Sequence, residues 1–246
     1  MNQRTKAVID KYGPLCGVIG PVVIGLGMLL SAVTYSGPMG EAYSPLNHFV
    51  SELGEVGVAE LSVTFNWGLI IGGLITIPFM AYMAAQVKSW MRWPLGLIGV
   101  FSAVFGVLVG FYPMNYIEPH TFVALAFFQL GMLTCILYSL VILFSKRHPY
   151  ARWLALPGLL YIVSFALFTF FPDLLPTNLD FEGAMGGYAA NRPDVLALTI
   201  LEWIMVLAIL IWIFMMGVYL TWYGDRQAAV QRRDASPETV DQPHQA

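Results

Sequence analysis

The sequence predicts an all-α integral membrane protein, a six-helix bundle with a short interfacial helix on its outer face. Three observations carry this. The 246 residues are 58% hydrophobic and only 11% charged, with a mean hydropathy of +0.69, whereas soluble domains carry about 25% charge. Six apolar runs, at residues 14–35, 59–87, 94–112, 120–145, 152–172 and 195–223, are long enough for a hydrocarbon core that takes about 20 helical residues to cross. Eleven of the twelve Lys and Arg residues fall before run one, between runs two and three, between runs four and five, or after run six, leaving Arg192 alone on the other side. The positive-inside rule therefore places both termini in the cytoplasm of a cell-membrane protein.

The runs pair into three hairpins, with residues 1–13 as a cytoplasmic N-terminus and 224–246 as a polar, disordered cytoplasmic tail without apolar periodicity. Run one follows a basic start but is longer than a signal-peptide core and has no clear cleavage site, so it reads as an uncleaved helix. Trp90, Trp93, Tyr150, Trp153 and Trp222 stand at the cytoplasmic edges as interface anchors. Gly13 with Gly17, Gly68 with Gly72 and Gly106 with Gly110 are spaced four apart and allow close approach of the first three helices. Pro21, Pro78 and Pro157 are expected to kink their helices. Cys16 and Cys135 lie within spans, which argues against an outer disulfide or a cysteine metal cluster. The net charge of −3 gives no reason to expect a nucleic-acid partner.

Polarity inside the outer half is uneven. Glu202 lies about 10 Å below the start of the last span at 1.5 Å per residue, and a carboxyl at that depth needs a partner in the bundle interior. Asn66 sits six residues past Glu60 in span two, and His120 opens span four. The outer loop 36–58 contains "SPLNHFVSELGEVG", where Ser44 is a candidate N-cap, Pro45 a first helical residue and Gly54 a stop. On a helix, His48, Ser51, Glu52 and Glu55 would form one stripe opposite Phe49, Val50 and Leu53. Asp173 and Arg192 flank the other long outer loop.

Two chemistries use such groups. Ser51, Glu52, Asn66, His120, Glu202, His48, Asp173 and Arg192 can surround a polar lipid headgroup, with Arg192 available for a phosphate. Alternatively, His48, His120 and Glu202 can bind zinc and activate a water for lipid hydrolysis. Headgroup binding needs less geometry and is preferred. A small-solute transporter is a third possibility, opposed by the sparse polarity of the inner half.

"HFVSELG" with "AELSVTFN", "HTFVALAFFQLG" and "LEWIMVLAIL" resemble the motifs of six-span FRAG/DRAM/SFK-like proteins. With "GFYPMN" before the histidine, the same segments are more similar to a prokaryotic six-span family, domain of unknown function nine-nine-eight. The resemblance covers residues 14–223 and matches Ser51, Glu52, Gly54, Glu60, Asn66, His120, Glu202 and Trp203. It implies the six-span fold and membrane lipids as partners. His48, Val123 and Asn115 depart from the motifs.

Overall fold

The computed structural model describes residues 2–37, 39–170 and 192–235, and not the side chains of Gln3 or of 227–235. Six helices are long and apolar enough to cross a membrane. They are α1 (Gln3–Val33), α2 (Ser62–Ala85), α3 (Arg92–Phe111), α4 (Ile117–Phe144), α5 (Ala155–Phe170) and α6 (Ala197–Ala235). Two short 3₁₀ helices interrupt the connections, η1 (Val50–Gly54) and η2 (Arg152–Leu154). Each long helix packs on its neighbours in sequence, and α6 closes against α1, so the six form a ring.

The predicted spans are recovered with shifted ends. α1 begins at Gln3, where Asn2 caps it by accepting from the Arg4 N–H at 3.1 Å, so most of the predicted N-terminal segment is helical. α6 runs to Ala235, twelve residues beyond the predicted end of its span. The sequence predicts a disordered tail from residue 224; its first part instead continues the helix, which needs no apolar face once a nucleus already exists.

Two glycine pairs fix the closest helix contact. On α1 and α2, a Cβ added at Gly72 would stand 2.6 Å from the Gly20 carbonyl oxygen, and one at Gly27 would stand 2.6 Å from that of Thr64 and 3.3 Å from Gly68 Cα. Without side chains at these points the backbones approach and gain dispersion contacts that lipid cannot replace. Pro21 and Pro78 lie inside α1 and α2. Pro157 instead falls in the first turn of α5, where its missing N–H removes no helical bond and no kink is required.

The two ends of the ring differ. At the basic end, which carries Lys88, Arg92, Lys146, Arg147 and Arg152, Trp90, Trp93, Trp153 and Trp222 are exposed as anchors should be. Tyr150 is not: it is buried, and its hydroxyl donates to the Met83 carbonyl. With Phe79, Tyr138, Trp212 and Met216 it fills the basic half of the ring with a dense core. The opposite end, here called the capped end, holds η1.

Candidate functional site

The segment 44–56 is not an amphipathic helix at an interface. Ser44 heads a single turn, accepting from the Asn47 and His48 N–H groups at 3.2 and 2.9 Å. The chain then extends at Phe49 and enters η1, where Val50, Glu52, Leu53 and Gly54 are all buried. η1 packs against α1, α2 and α6. A buried segment outside a regular helix must find partners for its backbone groups elsewhere, and these come from residues far away in sequence. Ser31 on α1 donates to the Leu53 carbonyl at 2.6 Å, and Asn66 on α2 donates to that of Gly54 at 2.8 Å. Glu202 on α6 accepts from the Val50 N–H at 2.7 Å and also bonds the Ser51 N–H. Tyr43 donates to the Phe49 carbonyl at 2.8 Å and accepts from the Trp203 indole at 3.0 Å. Asn115 holds both backbone groups of Val56, at 2.8 and 3.0 Å.

Glu52 lies outside the cavity lining, in a second cluster. Its Oε1 accepts from the Phe49 N–H at 2.8 Å, closing the turn on itself, and Tyr35 donates to Oε2 at 3.1 Å. Arg192 grips both oxygens, at 2.9 and 3.1 Å, and donates to the Asn47 carbonyl at 2.7 Å. Burial works against the Arg192 charge, but the bonds and field of Glu52 outweigh it and hold the guanidinium above its ordinary value. Arg192 thus locks the cap.

His48 is buried between the rings of Tyr35 and Tyr43, with both centroids at 5.2 Å. Its Nδ1 meets Asn47 Oδ1 at 2.8 Å, while Nε2 lies 3.9 Å from Glu41 with no hydrogen bond. Burial pushes its pKa below the ordinary 6.5, more strongly than the Glu52 charge raises it. The native state therefore binds fewer protons here than the unfolded chain. This contribution to stability is complete above about pH 6.5 and is lost as pH falls toward the native value. Thermal unfolding between pH 7.5 and pH 5.5 is expected to show a loss in wild type that is smaller in His48→Gln; equal losses would show that His48 does not titrate there.

Inside the ring, beneath η1, lies a cavity of about 110 Å³, several times the roughly 10–15 Å³ that one water needs on this measure. Residues of α1, α2, α3, α4, α6 and η1 line it. It is apolar for most of its length, from Phe65 and Val206 near the cap to Met80, Trp212 and Ile213. His120 and Thr134, both lining, are fourteen residues apart on α4, a span of about 21 Å.

The lining residues with hydroxyl, imidazole or carboxyl groups divide by depth. Thr76 and Thr134 donate to their own helices, to Gly72 and Leu130 carbonyls, both at 2.8 Å, and Ser102 lies 3.4 Å from that of Phe127. Ser51, His120 and Glu202 gather at the capped end. Ser51 Oγ has no hydrogen bond to the described residues, and Glu202 lines the cavity while it holds the backbone of η1. His120 donates from Nδ1 to the Tyr112 carbonyl at 2.7 Å. A carbonyl only accepts, so Nδ1 carries the hydrogen and the neutral ring keeps Nε2 as an open acceptor.

The eight predicted site residues therefore separate. Ser51, His120 and Glu202 meet at the cavity. Glu52, Asn66, Arg192 and His48 build the cap and do not line the cavity. Asp173 lies outside the described residues. His48, His120 and Glu202 do not form a metal-binding group, and no group of three or more His, Cys, Asp or Glu is placed to hold a metal among the described residues. Arg192 is committed to Glu52 instead of awaiting a phosphate. Ser31, Tyr35 and Tyr43 are functional parts of the cap that sequence reasoning missed; the two tyrosines flanking the loop were the available signal.

The sequence model of a family described as Protein of unknown function (DUF998) matches residues 23–219. The chain belongs to the DUF998 family. The matched region of this DUF998 protein contains α2 to α5 complete, the last third of α1, the first part of α6, the cap, and Ser51, His120 and Glu202 of the cavity lining. No curated protein and no solved structure matches the chain.

Proposed function

We propose that this protein binds a membrane amphiphile, taking one hydrocarbon chain into the shaft of the cavity and its polar group at Ser51, His120 and Glu202. The observation that carries this reading is the division of the lining: an apolar shaft with self-satisfied hydroxyls, and open polar groups at one end only. A free solute would leave about 20 Å of apolar wall unused, and a lipid chain matches it. The distribution of Lys and Arg supports reading the polar end as lying in the outer half of a cell membrane. The packed basic half supports binding over passage through the protein.

Lipid extraction of the purified protein followed by mass spectrometry tests this. Wild type is expected to retain a defined species near one per chain, and Ala103→Phe, which fills the shaft at the level of Ser102 and Phe127, away from Ser51, His120 and Glu202, is expected to lose it. A lipid profile identical in both proteins, matching the bulk membrane, would sink the proposal. Modification of the bound lipid is a second reading, favoured by the Ser51 hydroxyl and the unprotonated His120 Nε2 facing one cavity. Covalent labelling of wild type but not Ser51→Ala by a fluorophosphonate is the outcome it requires.

A further inference from the structure

We infer that the polar group recognised in this cavity is an uncharged or cationic hydrogen-bond donor, a hydroxyl or an amine, and not a phosphate or carboxylate. The inference rests on the proposed amphiphile site and names its head chemistry. Among the described residues no Lys or Arg lines the cavity, and Glu202 is the carboxyl in its lining. The cation nearest in role, Arg192, spends its guanidinium on Glu52 and the Asn47 carbonyl. It belongs to the cap and is absent from the lining.

The open groups are matched to a donor. His120 has its Nδ1–H fixed on Tyr112, so Nε2 of the neutral ring can only accept. Glu202 holds the Val50 and Ser51 N–H groups, and its carboxyl oxygens keep further lone pairs as acceptors. Ser51 Oγ can accept or donate. An alcohol or ammonium placed among them gives its protons to His120 and Glu202, and a second hydroxyl can pair with Ser51. An anion placed there meets the Glu202 carboxyl, and an ionised Glu202 repels it in a medium of low dielectric with no counter-charge, which is strongly unfavourable. Protonating Glu202 removes that repulsion and adds one donor, yet still supplies no cation to replace the lost hydration of the anion. The Trp212 indole, ten residues along α6 from Glu202, lines the far end and lies about 15 Å away along the helix, too distant to serve the same head.

The test uses four probes of equal chain length: a monoacylglycerol, a primary alkylamine, a fatty acid and a lysophosphatidate. Binding to the detergent-purified full chain, stripped of co-purifying lipid, is read by native mass spectrometry and by thermal shift at pH 7. The monoacylglycerol and the amine are expected to bind at least about tenfold more tightly than the two anions. Glu202→Gln is expected to weaken the amine by about tenfold and the monoacylglycerol by less. Ser51→Ala, which removes a hydroxyl that bonds none of the described residues, is expected to weaken the monoacylglycerol while leaving the unliganded melting temperature unchanged. Anions that bind as tightly as the donors, and are lost in Ala103→Phe, would overturn the head assignment and leave the amphiphile site standing. Binding of no probe, or binding indifferent to Ala103→Phe, would overturn the amphiphile site and this inference with it.

Discussion

Arg192→Met is expected to cost the protein about 3–5 kcal/mol of stability, the usual loss when one member of a buried ion pair is removed. Glu52 is 1% exposed and Arg192 16%, so the orphaned carboxylate cannot reach water without dismantling the cap. The same substitution frees the Asn47 carbonyl, which holds the turn ahead of η1. Thermal unfolding in detergent measures the loss. The pair of variants sharpens it: Glu52→Leu with Arg192→Met removes both charges and is expected to be more stable than Arg192→Met alone. A single variant that melts like wild type would mean the pair is exposed and screened in the membrane.

Glu202→Ala is expected to be the other severe change, because it strips the acceptor from the N–H groups of Val50 and Ser51 together. Each buried donor left unmade costs about 1–3 kcal/mol. Glu202→Gln keeps an amide oxygen for the same donors and should retain most of the stability while altering ligand binding. Hydrogen exchange across residues 49–54 separates the two roles: protection is expected to fall sharply in Glu202→Ala and little in Glu202→Gln. Equal protection in all three proteins would show that Glu202 does not hold η1.

The helices were legible because each is a long apolar run between basic loops, and hydrocarbon permits few other backbone solutions. Glu202 and His120 were legible for a related reason, since a carboxyl or imidazole inside such a run has no cheap place to go. The conformation of 44–56 was not. A 3.6-residue period places His48, Ser51 and Glu52 on one face, but local preference is weak and tertiary partners override it. Here those partners are Ser31, Asn66 and Glu202, spread over three helices. Because they bond backbone, no pairing of side-chain types in the sequence announces them. Glu52 and Arg192 had complementary charge, yet the 140 residues between them hid the pair.

Ring packing also dictates an order of assembly. Neighbouring helices meet in the order of synthesis, so α1 to α5 can dock one after another as they enter the membrane. The capped end cannot be finished on that schedule. η1 is made after the first helix, but two of its holding points, Arg192 and Glu202, arrive just before and within the last one. Until then a stretch of backbone with unpaired donors must wait, shielded by water or by other proteins. The arrival of α6 closes the ring against α1 and caps η1 in the same event, so the capped cavity comes into being only once α6 has been made.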